Sequence, residues 1–146
     1  MRGEAAVGLF QPNTTASIKA TIRACQAYEA SIMFVSGKRY KRSSLDTGKG
    51  SLRLPLFNVD SLHDVIPSGY VPVAVDLVRG ARDLRTYTHP EMAFYIFGPE
   101  DGPLGNKITS WCRDTVYIPT ETYMDLAATV NVVLYDRMSK GIRSGR

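Results

Sequence analysis

The sequence has few of the residues that form metal sites and catalytic triads. Its 146 residues include only two cysteines and two histidines. Cys25 and Cys112 lie far apart without the spacing of metal ligands, and neither His63 nor His89 has a cysteine nearby. These gaps argue against a zinc site and against a Ser-His-Asp triad, so we expect no bound metal. They favour two reduced cysteines that are partly buried as small apolar side chains.

Long apolar segments are also missing. No run of apolar residues approaches the length of a membrane span, and the opening stretch MRGEAAVGLFQP lacks the apolar core and cleavage site of a secretory signal. The composition, with 44% hydrophobic and 22% charged residues, is typical of a packed soluble domain. We therefore expect a cytosolic protein with a single domain over residues 1–146 and a flexible basic tail from about residue 140.

Positive charge exceeds negative charge and is unevenly distributed. The net charge is +4 and the sequence pI is about 9.2, which suits a polyanionic partner. The segment GKRYKR contains a cluster of four cations, Lys38, Arg39, Lys41 and Arg42. Tyr40 lies within the cluster, and because a ring can stack on a base while cations contact phosphates, the pattern favours RNA. The alternative is a plain solvated loop.

Apolar segments alternate with helical or crossover segments along the chain. The pattern predicts strands at residues 5–10, 31–35, 73–77, 93–97 and 115–118, a loop at 37–50, and helices from residue 15, at 103–111 and at 124–139. Asp60 is predicted to cap a short helix that ends at residue 66. Strands that are apolar along their length are typical of a parallel sheet covered on both faces. The sequence therefore predicts a single-domain α/β fold, a parallel sheet sandwiched by helices.

Three predicted loops follow strands, after Leu77, Phe97 and Ile118, and ligands bind beyond the carboxyl ends of such strands. The second loop reads FGPEDGPLG. In a functional interpretation, Gly98 lets the backbone approach a ligand and Glu100 holds a polar group. The alternative is an ordinary strand-to-helix turn with solvated acids. The segment is neither a phosphate loop nor a dinucleotide-binding fingerprint, since the required spacings are missing.

Two ordered motifs in the second half of the chain resemble those of a known family. The first reads FGPE at 97–100, followed by Gly102 and Leu104, and the second has IP at 118–119, Met124, LA at 126–127 and VVLYD at 132–136. In this order they are similar to the second and third motifs of the SPOUT RNA methyltransferases, in the TrmH-like ribose 2′-O-methyltransferase branch. The likeness extends to the start of the chain, where VGLFQP and the following helix resemble the family's first strand and helix.

The resemblance implies a fold, a cofactor and a partner. The family fold is a parallel α/β sheet whose C-terminal part forms a trefoil knot, and the knot loops bind S-adenosylmethionine. Family members are usually homodimers in which the first and last helices meet and the active site is completed across the interface. By similarity, the cofactor-binding residues are Leu77, Gly80, Phe97, Gly98, Glu100, Ile118, Met124, Leu126 and Ala127.

The family's first motif, N-x-G-x-x-x-R, aligns with Ser17, Lys19 and Arg23. The resemblance implies that Arg23 is the catalytic residue that acts on the ribose 2′-hydroxyl. An ordinary arginine is too basic to accept a proton near neutral pH, so we expect Arg23 to position the hydroxyl and stabilise developing negative charge. The predicted RNA-binding residues are Ser17, Lys19, Lys38, Arg39, Lys41, Arg42 and Asp125.

Three positions depart from the family pattern. Ser17 stands in place of asparagine, Lys19 in place of glycine, and Asp125 in place of asparagine. The Lys19 side chain either fills space that the substrate uses or contacts an RNA phosphate. Asp125 either puts unfavourable negative charge beside an RNA phosphate or the cofactor carboxylate, or it caps the following helix, a role for which aspartate is well suited.

The motifs lead to one principal functional prediction and two alternatives. The principal prediction is an S-adenosylmethionine-dependent ribose 2′-O-methyltransferase acting on tRNA or rRNA. The three departures favour an alternative, a catalytically impaired homologue that binds RNA or acts in assembly. A third possibility is a nucleotide-binding α/β domain unrelated to methylation.

Overall fold

Parallel strands form one sheet at the centre of the fold. The structure is a computed structural model that describes residues 1–40 and 54–144. The strands are β1 (Glu4–Leu9), β2 (Ile32–Ser36), β3 (Leu56–Val59), β4 (Val71–Val75), β5 (Arg82–Asp83), β6 (Met92–Phe97) and β7 (Asp114–Tyr117). Their order in the sheet is β3-β2-β1-β6-β4-β7-β5, and each neighbouring pair is parallel. The predicted parallel α/β sheet is confirmed.

Strands β1 and β6 pair at the middle of the sheet, where side chains are buried on both faces. Their register runs from Glu4 opposite Met92 to Leu9 opposite Phe97. Such continuous burial explains why these segments read as apolar runs rather than as alternating patterns. Gly8 is needed for the packing of this pair, because a Cβ there would come within 2.9 Å of the Phe94 ring.

Two hydrophobic cores lie on opposite faces of the sheet. Helices α1 (Thr15–Ala27) and α3 (Leu126–Ser139) pack against each other and supply the first core, which also takes Tyr95 and Phe97 from β6. The second core takes the alternate β6 residue Ile96 and is covered by the short helix α2 (Asn106–Thr109) and neighbouring loops. Because successive strand residues point to opposite faces, one strand serves both cores.

Several predicted elements differ from the structure. The sequence pattern misses β3, an edge strand with an exposed centre, and β5, which has only two residues, both charged. The helix predicted at 103–111 is wrong in extent: α2 begins only after Gly105, whose φ of 82° interrupts any helix starting at Pro103. The helix predicted after Asp60 is a single 3₁₀ turn at His63–Val65, and Asp60 does not cap it.

The two cysteines are unpaired, as predicted. Cys25 is buried and Cys112 is half-buried, and burial raises the pKa of each thiol to about 12, so neither is a thiolate at neutral pH. In the described ranges, no helix has both the length and the apolar character needed to cross a bilayer. Within the same ranges, no group of three or more His, Cys, Asp and Glu side chains is arranged to hold a metal ion.

A buried arginine ties the last helix to the amino edge of the sheet. Arg137 of α3 is 5% exposed and donates hydrogen bonds to the carbonyl oxygens of Pro90 (2.6 Å), Glu4 (3.2 Å) and Glu91. It also donates to the Tyr95 hydroxyl at 3.0 Å. Burial raises the pKa of Tyr95 to about 12, so this hydroxyl stays neutral and available as an acceptor. One guanidinium therefore satisfies polar groups from β1, β6 and the segment before β6.

We predict that Arg137→Ala lowers the free energy of unfolding by about 3 kcal/mol or more, because it leaves buried carbonyls without donors. Urea denaturation measures the change. Arg143→Ala is the matched control, since the Arg143 side chain is exposed and its loss is expected to cost no more than about 0.5 kcal/mol. Equal, small effects of the two changes would contradict the structural role of Arg137.

Candidate functional site

The loops that follow β4, β6 and β7 meet at the carboxyl edge of the sheet and enclose a cleft of about 760 Å³. This volume lies within the range of small-molecule sites. The loops are those predicted after Leu77, Phe97 and Ile118, and the structure brings all three together. Apolar and polar side chains contribute to the lining, which includes Val75, Phe97, Ile118, Leu126, Thr120, Thr122 and Tyr123.

Seven of the nine residues predicted to bind the cofactor line this cleft: Leu77, Phe97, Gly98, Glu100, Ile118, Met124 and Leu126. Gly80 lines a second cleft instead, and Ala127 lies half-buried in α3. Gly98 has a neighbour that the sequence pattern does not reveal. A Cβ at Gly98 would lie 3.2 Å from Cγ of Leu104, so the glycine lets the second loop fold back onto Leu104.

Asp76 joins the first loop to the second. Its Oδ1 accepts a hydrogen bond from the backbone N–H of Leu77 at 2.9 Å, and its Oδ2 accepts one from Leu104 at 3.0 Å. Its own backbone N–H donates to Val116 on β7 at 2.9 Å. This residue therefore connects all three elements that border the cleft. Sequence reasoning misses Asp76, although an acid directly after a buried strand was an available signal.

Glu100 connects the second loop to the start of α1. Its Oε1 accepts a hydrogen bond from the backbone N–H of Asn13 at 3.1 Å, and its Oε2 lies 3.3 Å from the hydroxyl of Thr14. Thr14 is the N-cap of α1 and accepts from the backbone N–H of Ser17 at 3.1 Å. Glu100 thus holds a polar group of this chain, the cap of the helix that carries the first family motif.

The basic cluster is also tied to the second loop. Arg39 donates two hydrogen bonds to Asp101, at 2.9 and 3.1 Å, and one to the carbonyl of Gln11 at 2.6 Å. Hydrogen bonding from Arg39 holds the pKa of the Asp101 carboxyl below its usual range. The Arg39 guanidinium is therefore already paired, whereas Lys38 is exposed. Lys41 and Arg42, also predicted to bind RNA, lie outside the described residues.

Asp125 caps the last helix. Its backbone is extended, with φ −65° and ψ 162°, and its Oδ1 accepts a hydrogen bond from the N–H of Ala128 at 2.7 Å. Of the two roles left open by the sequence, the structure supports the cap. The negative charge also interacts favourably with the positive end of the helix dipole. This departure from the family pattern is therefore compatible with an intact site.

The residues of the first motif lie on α1 and outside the cleft. Ser17 is held by its contacts with Thr14, while Lys19 and Arg23 are exposed. Within the described residues, Arg23 has no hydrogen-bond or ion-pair partner and does not line the cleft. A single chain therefore does not bring the predicted catalytic arginine to the predicted cofactor site.

The electrostatic character of the cleft is acidic. Four carboxylates, those of Asp76, Glu100, Asp101 and Glu121, line it, and no Lys or Arg occurs in its lining within the described ranges. Asp76, Glu100 and Asp101 accept the hydrogen bonds described above. Glu121 is exposed and accepts no hydrogen bond from other described residues. The arrangement favours a ligand that carries positive charge.

Comparisons with known proteins identify a family and a fold. The family described as the SpoU rRNA Methylase family matches residues 4–135. No curated protein sequence matches the chain significantly. The structure resembles the SpoU methyltransferase AviRb from Streptomyces viridochromogenes in complex with the cofactor AdoMet, with 23% identity, a TM-score of 0.81, and coverage of 98% of this chain and 60% of AviRb.

Two further solved structures share the fold. One is the TrmH/SpoU tRNA modifying enzyme of A. aeolicus, with 18% identity, a TM-score of 0.76, and coverage of 94% of this chain and 77% of that one. The other was described in work on 2-OH methylation of C/U34 on tRNA, with 21% identity, a TM-score of 0.72, and coverage of 94% and 91%. The chain therefore spans about three-fifths of AviRb and most of the smaller relative.

We predict that Glu100→Ala lowers the free energy of unfolding by about 1–2 kcal/mol, because the N–H of Asn13 loses its charged acceptor. Glu100→Gln keeps an acceptor oxygen and is expected to retain most of this stability. Urea denaturation of both variants gives the values, with Glu121→Ala as a control from the same cleft. If Glu121→Ala costs as much as Glu100→Ala, the connection to α1 contributes nothing.

We predict that Asp125→Asn changes stability by less than about 0.5 kcal/mol, since asparagine caps helices nearly as well, whereas Asp125→Ala costs about 1 kcal/mol. Because the carboxylate faces the N–H of Ala128, the asparagine change is also expected to leave ligand affinity of the cleft unchanged. Thermal unfolding checks the first statement. A marked gain of S-adenosylmethionine affinity in Asp125→Asn, measured by calorimetry, would contradict the second.

Proposed function

The chain belongs to the SpoU rRNA methylase family, and on that premise we propose that it is an S-adenosylmethionine-dependent RNA methyltransferase that modifies the ribose 2′-hydroxyl of a tRNA or rRNA nucleotide. The main support for the proposal is the cleft at the carboxyl edge of the sheet. There, seven of nine residues predicted from the family motifs converge from three loops. The ribose as the acceptor follows from the TrmH-like motifs at 97–104 and 118–136.

The cleft suits S-adenosylmethionine in size and charge. This cofactor carries a positively charged sulfur, a positively charged amino group and one carboxylate, and an acidic cleft favours its net positive charge. The apolar walls from Phe97, Ile118 and Leu126 suit an adenine ring. The AdoMet-bound relative AviRb supports the same cofactor. The residues that would hold it are the seven lining residues, whereas Gly80 lies in the loop after β4 and Ala127 lies in the first turn of α3.

Methyl transfer requires the ribose oxygen to be held in line with the methyl donor. The cleft residues would hold S-adenosylmethionine, which would supply the methyl group from its sulfur, and the ribose 2′-hydroxyl would release its proton to solvent or to a neighbouring phosphate. An arginine guanidinium carries hydrogen-bond donors and no acceptor. The guanidinium of Arg23 therefore donates hydrogen bonds that position the hydroxyl and stabilise the negative charge developing on oxygen.

A homodimer would bring Arg23 to a cleft. Arg23 is exposed on α1, which packs beside α3, and α3 exposes the apolar side chains of Val132 (37%), Tyr135 (56%) and Met138 (46%). We propose that these outer faces of α1 and α3 form the interface, so that Arg23 of one subunit acts at the cleft of its partner. This arrangement explains why the arginine stands apart from the cleft in a single chain.

Other parts of the proposal concern RNA contacts, topology and location. Lys19 and Lys38 are exposed and free to contact RNA phosphates, and Lys41 and Arg42 would add to them.

We propose that residues 118–126 thread the loop closed by the contact between Asp76 and Leu104, which would make a trefoil knot. We also propose a cytosolic location, where unpaired cysteines stay reduced.

We predict that Arg23→Ala lowers methyl transfer roughly 100-fold or more, because the charge on the ribose oxygen loses its stabilising donor. S-adenosylmethionine affinity is expected to stay unchanged, since Arg23 does not line the cleft of its own chain. The assay uses labelled S-adenosylmethionine with unmodified tRNA and rRNA transcripts. Nuclease digestion and mass spectrometry then identify the methylated nucleoside.

Arg143→Ala serves as the control, because it removes an equal charge from an exposed site. Full activity of Arg23→Ala would remove this residue from the mechanism. Methylation of a base rather than a ribose would overturn the 2′-O assignment. RNA binding without transfer to any transcript would favour the alternative of a non-catalytic RNA-binding protein.

A further inference from the structure

A second cleft, of about 770 Å³, lies on the other side of Pro103 from the first. It is bordered by the loop after β4, by α2 and by the start of β7. Its side chains include Arg79, Arg82, Arg113 and Asp114, with the neutral side chains of Asn106 and Thr109 between them. Three cations and one anion in a concave surface distinguish this cleft from the acidic one next to it.

The turn after β4 presents two of these arginines. The N–H of Ala81 donates to the carbonyl of Val78 at 3.1 Å, and Gly80 has a φ of 86°. Among the described residues, and apart from its two chain neighbours, no heavy atom lies within 4 Å of the position that a Cβ of Gly80 would take, so the conformation rather than crowding requires glycine. The turn places Arg79 and Arg82 on the same cleft.

Most of the positive charge in this cleft is uncompensated. Asp114 accepts hydrogen bonds from Arg113, at 3.0 and 3.2 Å, and from the Tyr87 hydroxyl at 2.7 Å. Arg82 lies 3.9 Å from the same carboxylate with a side chain that is 68% exposed. Within the described ranges, Arg79 has no hydrogen-bond or ion-pair partner. Arg113 and Asp114 therefore neutralise each other, while Arg79 and Arg82 remain available for an anion.

Phosphate is the anion that this set of donors fits. A guanidinium presents planar, paired N–H donors that match phosphate oxygens, and the exposed amide of Asn106 adds a neutral donor at the same surface. The two clefts share Pro103 in their linings. A strand whose ribose lies at the first cleft therefore has neighbouring phosphates within reach of the second. A free phosphate or nucleotide would contact the same donors, but it would not extend from one cleft to the other as an RNA strand does.

We infer that the cleft around Arg79 and Arg82 binds backbone phosphates of the substrate RNA, next to the nucleotide that is methylated. The inference rests on the proposed function in one respect, namely that RNA is the substrate. It adds a site that is bordered by α2, on the face of the sheet opposite α1 and α3. The contacts are independent of base identity, so they position the strand rather than select its sequence.

The test compares two double variants of the full chain. Arg79→Gln with Arg82→Gln removes the cleft charges, and Arg2→Gln with Arg143→Gln removes two exposed charges near the opposite, amino edge of the sheet. Fluorescence anisotropy measures binding of a fluorescein-labelled single-stranded RNA of mixed sequence over a series of KCl concentrations. S-adenosylmethionine affinity, measured by calorimetry, reports on the integrity of the first cleft and is expected to be unchanged in both.

The cleft variant is expected to bind RNA roughly 10-fold more weakly at about 0.1 M salt, and its slope of log K against log salt is expected to fall by about 1.4, which corresponds to two phosphates. The control variant is expected to keep the slope of the natural protein. Equal slopes in all three proteins would overturn the inference. A second outcome would also overturn the inference. In that outcome, inorganic phosphate stabilises the natural protein but not the cleft variant, and the two proteins bind RNA with the same affinity.

The result separates this inference from the proposed function. If the cleft variant alone loses RNA affinity but no transcript is methylated by the natural protein, the phosphate site stands and the enzymatic proposal fails. If the natural protein methylates RNA and the cleft variant binds and methylates equally well, the enzymatic proposal stands and the phosphate site fails.

Discussion

Strand β4 pairs in parallel with both β6 and β7, and this pairing determines where the cleft can form. Parallel pairing brings the carboxyl ends of the three strands to one edge of the sheet, so the loops that follow them meet there. Asp76 then uses its carboxylate and its backbone N–H to connect the first loop to Leu104 and to Val116. The cleft is a consequence of strand direction, and the hydrogen bonds of Asp76 fix its shape.

Carboxylates act mainly as structural acceptors around this site. Glu100 holds the start of α1, Asp101 pairs with Arg39, and Asp125 caps α3. The lining of the cleft is therefore acidic, and most of its carboxylates also accept hydrogen bonds from other residues of the chain. The same contacts link the helix of the first motif to the proposed cofactor loop. Changes in this loop would therefore affect both the cleft and the orientation of Arg23.

The sequence predicts the parts of the molecule whose signals are local. The apolar segments at β1, β2, β4 and β6 and the loops after Leu77, Phe97 and Ile118 agree with the structure. The short strands β3 and β5 escape prediction because they contain exposed or charged residues and depend on a neighbouring strand for their hydrogen bonds. Asp76 contacts Leu104 and Val116, which are distant from it in sequence, so a linear pattern does not reveal its role.

Two adjacent clefts share Pro103 in their linings, an acidic one that we propose binds the positively charged cofactor and a basic one that we propose binds phosphates. The proposed function requires that the first cleft bind S-adenosylmethionine. Calorimetric titration of the natural protein with S-adenosylmethionine measures this binding. We expect saturable heat that corresponds to one cofactor molecule per chain. No heat of binding at saturating cofactor concentrations would mean that the first cleft is not a cofactor site.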